Sequence, residues 1–239
     1  MARGDDLEAI LARLRRAAAD GQHLGATASL RIAVLLGLDV LTIDLITAGA
    51  GTLELVWCDP ADGLGPELGN LQYTLGDGPT VEAAQEGYTV SEPDLATTDQ
   101  ARWPLFLPAA MRFPARAVIA APLRVRGGIV GVLTGYRATP GAMTASQSRD
   151  FRRVRHGLLP LLVRSAHSLS TSGSGRGEGL RCYREEVQQA AGFLAVTLAI
   201  PPDQALARLR AHAFHHNRSL TDLARDALNR RLRLDDHTL

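Results

Sequence analysis

A chain of 239 residues with 46% hydrophobic and 21% charged side chains has the composition of an ordinary globular protein, and it is long enough for two domains. Its 26 basic and 25 acidic residues leave a formal net charge of +1, which excludes a global pull toward polyanions, so any nucleic-acid surface must be a local patch. Cys58 and Cys182 are too few and too far apart for a disulfide framework or a zinc knuckle, and no apolar run approaches the roughly 18 residues of a membrane span.

The start MARGDDLEAI places acids where a signal peptide needs an apolar core, which implies a soluble, cytoplasmic protein with no membrane partner. All the basic residues are arginine, whose planar fork of donors suits phosphates and guanine edges better than a point charge does. Leu7, Ile10, Leu11, Leu14 and Ala18 recur at helical spacing, so residues 1–20 read as an amphipathic helix that docks on the next domain or pairs with a copy of itself. From Asp39 the period changes to two. DVLTIDLITAG and TLELVWC both alternate, with Gly49 and Gly51 between them, as a pair of half-buried antiparallel strands would.

TLGDGPTVEAAQEG follows, a Gly-Asp-Gly-Pro turn with Thr80 as the cap of a short helix that Gly87 ends. A brief strand is expected at Tyr88 to Val90, then a short helix broken by prolines in QARWPLFLPAAMR. In ARAVIAAPLRVRGGIVGVLTGYRA two β-branched runs flank Gly127-Gly128, and that pair supplies the positive φ angles of a tight hairpin turn. Ala145 to His167 returns to helix, with Phe151, Val154, Leu158, Leu161 and Leu162 on one face and a bend expected at Gly157 and Pro160. SLSTSGSGRGEG has the composition of a flexible linker. Three helical patterns close the chain. The first carries Val187, Ala191, Leu194 and Leu198; the second starts at Pro202 and carries Ala205, Leu206, Leu209 and Ala213. The third opens with Ser219 and Asp222 in a capping-box arrangement, ahead of Leu220, Leu223, Ala224, Ala227, Leu228 and Leu232.

The fold class is therefore α+β, an antiparallel sheet flanked by helices followed by a small all-α, three-helix domain. The boundaries fall at 1–20 for the first helix, 21–167 for the sheet domain, 168–180 for the linker and 181–239 for the helical domain. No nucleophile elbow, phosphate-cradling loop or compelling carboxylate pair occurs in the sheet domain, so no catalytic residue is assigned and the chain is not read as an enzyme. Trp57, Cys58, Arg102, Trp103 and Arg116 could line a small-molecule pocket beside the sheet; the alternative is that Trp57 and Trp103 are ordinary core. His212, His215 and His216 have spacings that suggest a metal, yet helical geometry spreads them round the helix and no Cys, Asp or Glu completes a tetrahedron, so no metal or other cofactor is assigned. Phe214 lies off the apolar stripe, as an interface or stacking residue would, unless the C-terminal tail covers it.

In element order the chain resembles a bacterial regulator with an N-terminal GAF domain and a C-terminal ANTAR domain. The first resemblance covers about Gly21 to His167 and rests on the strand pair, the LGDGP turn and helix, and the AAPLRVRGGIVGVLTGYR hairpin. It implies a sensory module that takes an unknown small-molecule signal or dimerises through its flanking helices. A Lys-free chain cannot carry the Asn-Lys-Phe-Asp-Glu signature of the cyclic-nucleotide members, Cys58 is followed by Asp59 instead of the His of bilin binders, and the sulfoxide-reductase members use several cysteines where this domain has one. The second resemblance covers about Leu180 to Leu234, on VQQAAGFLA, QALARLRAHA and NRSLTDLARDALNRRLR. It implies binding of paired RNA hairpins in nascent transcripts, generally as a homodimer, so that a terminator does not form.

The family's Ala-Lys-Gly motif reads Ala190, Ala191, Gly192, with Ala191 in the lysine position and the glycine kept. Arg210 matches the basic residue of the second helix, and Asn217 with Arg218 the turn before the third. Arg210, Arg218 and Arg225 would supply forks for phosphates, and Phe214 or His215 a stacking plane. From Arg181 to Leu239 there are 9 Arg and 7 acidic residues, a balance of +2, so a monomer should bind weakly and a dimer gain by effective concentration. Two rival readings stand beside this one. In a ribbon-helix-helix DNA-binding domain Ala195 to Ile200 would be a paired strand. In a docking module the three helices would bind a partner protein or a second copy and no nucleic acid.

Overall fold

The computed structural model describes residues 2–27, 30–46, 53–61, 63–172, 185–216, 218 and 220–231. The chain divides into two compact units that meet in sequence between Tyr183 and Arg184. In the first, helix α1 (Ala2–Ala19) and a 3-10 turn (Leu24–Thr27) lead to α2 (Ile32–Leu36) and the strands β1 (Val40–Ile46) and β2 (Leu53–Asp59). Helices α3 (Leu64–Leu75) and α4 (Pro79–Glu86), strand β3 (Val90–Glu92) and helix α5 (Phe106–Ala110) follow, then β4 (Ala117–Val125), β5 (Gly128–Arg137) and α6 (Ala145–Ser172). The five strands form one antiparallel sheet in the order β2-β1-β5-β4-β3.

Helices cover both faces of this sheet. Leu41, Ile43 and Leu45 of β1 and Leu133 of β5 pack with Leu7, Ile10, Leu11 and Leu14 of α1, Ile32 and Leu36 of α2, and Phe151, Val154, Leu158, Leu161 and Leu162 of α6. On the other face Val40, Val118, Ala120, Val132 and Tyr136 pack with Leu68 of α3, Ala83 of α4, Trp103, and Phe106 and Leu107 of α5. The expected half-buried strand pair is thus corrected. The polar members of the alternation do not meet water: Thr42 is 2% and Asp44 3% exposed, on the strand that α3 packs against. Helix α3 was missed in the sequence, where Gly65, Pro66 and Gly69 obscure its periodicity. Gly65 is what lets it lie on the sheet, since a Cβ there would come within 2.8 Å of Val40 Cγ2 and 3.2 Å of Thr42 Cγ2.

Three further expectations shift in detail. Gly78 caps α4, with Pro79 in its first turn, so Thr80 lies inside the helix, and Gly87 ends it in the left-handed region as expected. The hairpin between β4 and β5 forms, but Val125 pairs with Gly128, and the two-residue turn is Arg126-Gly127 at φ 49° and 86°. Helix α6 passes through Gly157 and Pro160 and continues to Ser172, so residues 168–172 of the expected linker are helical. Residues 173–180 of that linker lie outside the described residues.

A knot of ionic hydrogen bonds fixes the connection from β3 to α5 onto α4. Glu82 accepts from Arg102 Nε at 3.1 Å and Nη2 at 2.9 Å, from Trp103 Nε1 at 2.7 Å and from the Tyr88 hydroxyl at 2.8 Å. Arg102 Nη1 also donates to Glu92 of β3 at 3.0 Å, and its guanidinium lies 4.6 Å from the Trp103 ring centroid. The Arg102 hydrogen bonds hold the Glu82 carboxyl below the usual carboxylate range, against a smaller opposing effect of burial.

Two predictions follow from this packing. A Cβ at Gly131 of β5 would fall 2.3 Å from the Asp44 carbonyl oxygen, a backbone atom of the neighbouring strand, so Gly131→Ala should cost about 3 kcal/mol of unfolding free energy in urea titrations. Because the folded state depresses the Glu82 pKa, its contribution is complete above the ordinary carboxylate pKa and is lost as pH falls through the folded value. Glu82→Gln should therefore lower stability by about 1 to 2 kcal/mol at neutral pH and flatten the acid limb of the stability profile. An unchanged acid limb would show that Glu82 does not contribute.

Candidate functional site

The second unit is built from α7 (Glu185–Leu198), α8 (Pro202–His215) and α9 (Leu220–Leu228). The chain turns through 110° between α7 and α8, with Ala199 at a positive φ of 52°. Val187, Ala190, Ala191, Leu194 and Ala195 of α7 are buried, as are Ala205, Leu206, Leu209 and Ala213 of α8 and Leu220, Leu223, Ala224 and Ala227 of α9. Residues 195–198 form the last turn of α7, and the Ile200 amide donates to the Ala195 carbonyl at 3.0 Å. The paired strand of the ribbon-helix-helix reading is absent from this segment, because the apolar stripe at spacings of three and four buries best as a helix. Ser219 and Leu232 lie outside the described residues.

The residues expected to meet RNA separate into three kinds. Ala191 is 3% exposed, so the position where the family places a lysine faces the helix interface. Gly192 beside it is exposed, and a Cβ there would meet nothing within 4 Å among the described residues. Packing does not require this glycine. Arg210 of α8 is half-buried, with its Nε out of solvent. Phe214 is 60% exposed and His215 is exposed. Arg218 donates to Asp226 of α9 at 2.6 Å, and Arg225 of α9 bridges Glu186 of α7 at 2.9 Å and Asp222 at 3.3 Å. Asn217 lies outside the described residues.

His212 and His216, four residues apart, stack with ring centroids 4.0 Å apart at the end of α8, and His215 meets His216 at 4.7 Å. His216 Nδ1 donates to the His212 carbonyl at 3.0 Å. The His212 pKa is lowered, by burial first and then by His216, Arg218 and His215. Among the described residues no group of three His, Cys, Asp or Glu side chains is arranged to hold a metal ion.

In the first unit the five residues expected at a ligand pocket do not converge. Trp57 pairs with Ile43 and faces α1, α2 and α6, whereas Cys58 pairs with Thr42 and faces Gly65 of α3, because neighbours on a strand point to opposite faces. Arg116 is held by Asp94 at 2.8 Å. Arg102 and Trp103 share a depression of about 300 Å³ lined also by Asp77, Glu82, Glu86 and Tyr88. Asp77 caps α5 by accepting from the amides of Leu105 and Phe106 at 2.9 and 3.0 Å. Sequence reasoning missed these acids, whose signal was the place of Asp77 in the glycine turn and of Glu82 in the first turn of α4. The space between sheet and α4 is filled by Gln72, which donates to Thr80 at 2.8 Å and to the Tyr136 hydroxyl at 2.6 Å, and by Thr134 at 2.9 Å from Thr80.

Residues 183–227 match the family model of the ANTAR domain. No curated protein matches the chain in sequence. Among solved structures, the N-terminal region is similar to the GAF domain of a phosphoenolpyruvate-protein phosphotransferase from Acinetobacter, at 16% identity and a TM-score of 0.51 over 71% of this chain and 98% of that one. The corresponding domain from Coxiella burnetii gives 13% identity and a TM-score of 0.51 over 70% and 97%. The free methionine-R-sulfoxide reductase of Neisseria meningitidis gives 18% and 0.50 over 67% and 90%. At these identities the likeness is one of fold. The chain therefore joins a unit of GAF fold to an ANTAR domain at residues 183–227.

Proposed function

We propose that this chain is a signal-responsive antiterminator. An ANTAR domain behind a unit of GAF fold is a regulatory arrangement, and ANTAR domains bind RNA. In our reading the three-helix unit holds paired hairpins of a nascent transcript, two copies of the chain act together, and a signal at the first unit shifts the population of the competent dimer. The observation that carries this reading is the family match at residues 183–227, supported by a glycine on α7 that no packing contact demands. Gly192 leaves the α7 backbone open to a close approach by a phosphate backbone, at the position where the family keeps its glycine.

Arg218 and Arg225 are engaged with carboxylates in the free protein, but on exposed surfaces such pairs are worth about 0 to 1 kcal/mol each. Exchange of Asp226 for a phosphate on Arg218 is therefore within reach of binding. Arg225, which ties α9 to α7 through Glu186, carries a share of the unit's own stability and is the weaker candidate for contact with RNA. Phe214 and His215 offer flat surfaces to unpaired bases at the end of α8.

Two measurements test the reading. Gly192→Ala should raise the stability of the three-helix unit by about 0.5 to 1 kcal/mol, since alanine is the better helix former, and yet weaken binding to a two-hairpin leader RNA. Equal affinity for scrambled hairpins in the parent protein would instead favour the docking module. Arg218→Ala should leave helical content unchanged and reduce the slope of log affinity against log salt by about 0.7 to 0.9. A slope identical to that of the parent protein would remove Arg218 from the interface.

A further inference from the structure

Helix α6 carries the densest positive charge on the described chain. Between Ala145 and Ser172 it holds Arg149, Arg152, Arg153, Arg155 and Arg164 against one acid, Asp150. Its apolar face, from Phe151 through Leu162, is consumed by the packing on α1, α2 and the sheet. Residues opposite that face point outward by helical geometry, and Arg149, Arg152 and His156, at spacings of three and four, form an exposed ridge there. At about 1.5 Å per residue the ridge runs for about 10 Å.

Three arginines of the first unit are held by carboxylates. Arg102 pairs with Glu82 and Glu92, Arg116 with Asp94, and Arg153 with Glu8 of α1. Arg149, Arg152 and Arg155 pair with no carboxylate among the described residues. Arg155 is half-buried beside Arg152, and its pKa is lowered, by burial first and by the neighbouring Arg152 second. Two guanidinium groups held close without an acid between them repel each other, and an anion laid across them relieves that repulsion.

We propose that the Arg149-Arg152-His156 ridge of α6, with Arg155 at its edge, is a second RNA site on this protein, one that grips phosphates without reading sequence. The occupant is chosen by charge. A second copy docking ridge to ridge would oppose arginine to arginine, whereas a phosphate backbone complements the whole ridge. The site also supplies what the ANTAR domain lacks, since the balance from Arg181 to Leu239 is only +2. Because both sites belong to one chain, RNA held at either one meets the other as a tethered partner. In the complete protein the hairpins would be recognised by α7 to α9, and part of the salt-dependent affinity would come from α6. This tethered role rests on the reading of the ANTAR domain given above; the phosphate grip itself does not.

The test uses the full chain and two RNA probes, a short fluorescein-labelled oligouridylate and a two-hairpin leader, each titrated over a range of salt. The double variant Arg149→Gln/Arg152→Gln keeps most of the side-chain length at two exposed positions. It should flatten the slope of log affinity against log salt by about 1.4 on the single strand, while the ratio of affinities for true and scrambled hairpins stays as in the parent protein. Arg149→Lys/Arg152→Lys, which keeps the charge, should restore the parent slope. An unchanged slope on oligouridylate overturns the proposal, as does a double variant whose only effect is a shift in the monomer-dimer distribution by sedimentation equilibrium. Failure of hairpin discrimination in the parent protein would strike the antiterminator reading and leave the salt slopes to decide the ridge.

Discussion

The sheet of the first unit is closed to water on both faces, and this constraint shapes much of what surrounds it. A strand that alternates apolar and polar residues normally turns its polar side to solvent. Here that side meets α3 and α4, so Thr42, Thr134, Thr80, Gln72 and Tyr136 must satisfy one another inside the protein. Gln72 is central to the solution. Its carbonyl oxygen accepts from the Thr80 amide at 2.8 Å while its nitrogen donates to Thr80 Oγ1 and the Tyr136 hydroxyl. The side chain thus satisfies an amide in the first turn of α4, which no intrahelical bond would reach, and fills the volume between that helix and the sheet. Burial pushes the Tyr136 phenol far above its usual pKa, so it stays a neutral partner throughout the physiological range. A network of this kind leaves little empty volume on this side of the sheet. One depression lies further out, at the rim held by Asp77, Glu82 and Arg102.

How legible was this in the sequence? The hairpin of β4 and β5, the three terminal helices and the core face of α6 are read directly from periodicity, because each has enough apolar residues at one spacing. Helix α3 was not, since its closeness to the sheet is bought with glycine, the residue that periodicity scores as a break. The hairpin turn moved by one residue for a related reason. Gly127-Gly128 is the natural pair for positive φ, but strand register places Gly128 opposite Val125 and forces Arg126 into the left-handed region instead. Register is a property of two strands, and one strand's sequence cannot fix it.

The candidate sites divide along the same line. Trp57 and Cys58 were both placed at one pocket beside the sheet, yet as neighbours on a strand they point to opposite faces. The His212–His216 stack follows from their spacing of four on one helix. Arg218 was legible as a basic residue in a turn, whereas its partner Asp226, one helix on, was not. Local spacing identifies side chains on one helix face well. It says little about groups brought together from separate elements, and the Glu82 knot is made entirely of those.

Ala191 shows how one buried position limits the charge that a helix can present. With Ala190 and Ala191 both turned to the helix interface, a lysine at 191 would have to run its stem out along α7 to reach solvent. Alanine removes that requirement and packs α7 more closely, at the expense of a cation beside Gly192. The exposed surface of α7 that remains, with Gly192 and Val196, is neutral and open, and suits contact with a backbone or a base more than attraction over distance. Attraction over distance would then have to come from arginines, and in the helical unit Arg218 is engaged by Asp226 and Arg225 by Glu186 and Asp222. On α6, Arg149 and Arg152 are exposed and pair with no carboxylate among the described residues. Under the proposal made above, the nearly neutral helical unit would supply shape and α6 part of the salt-dependent affinity.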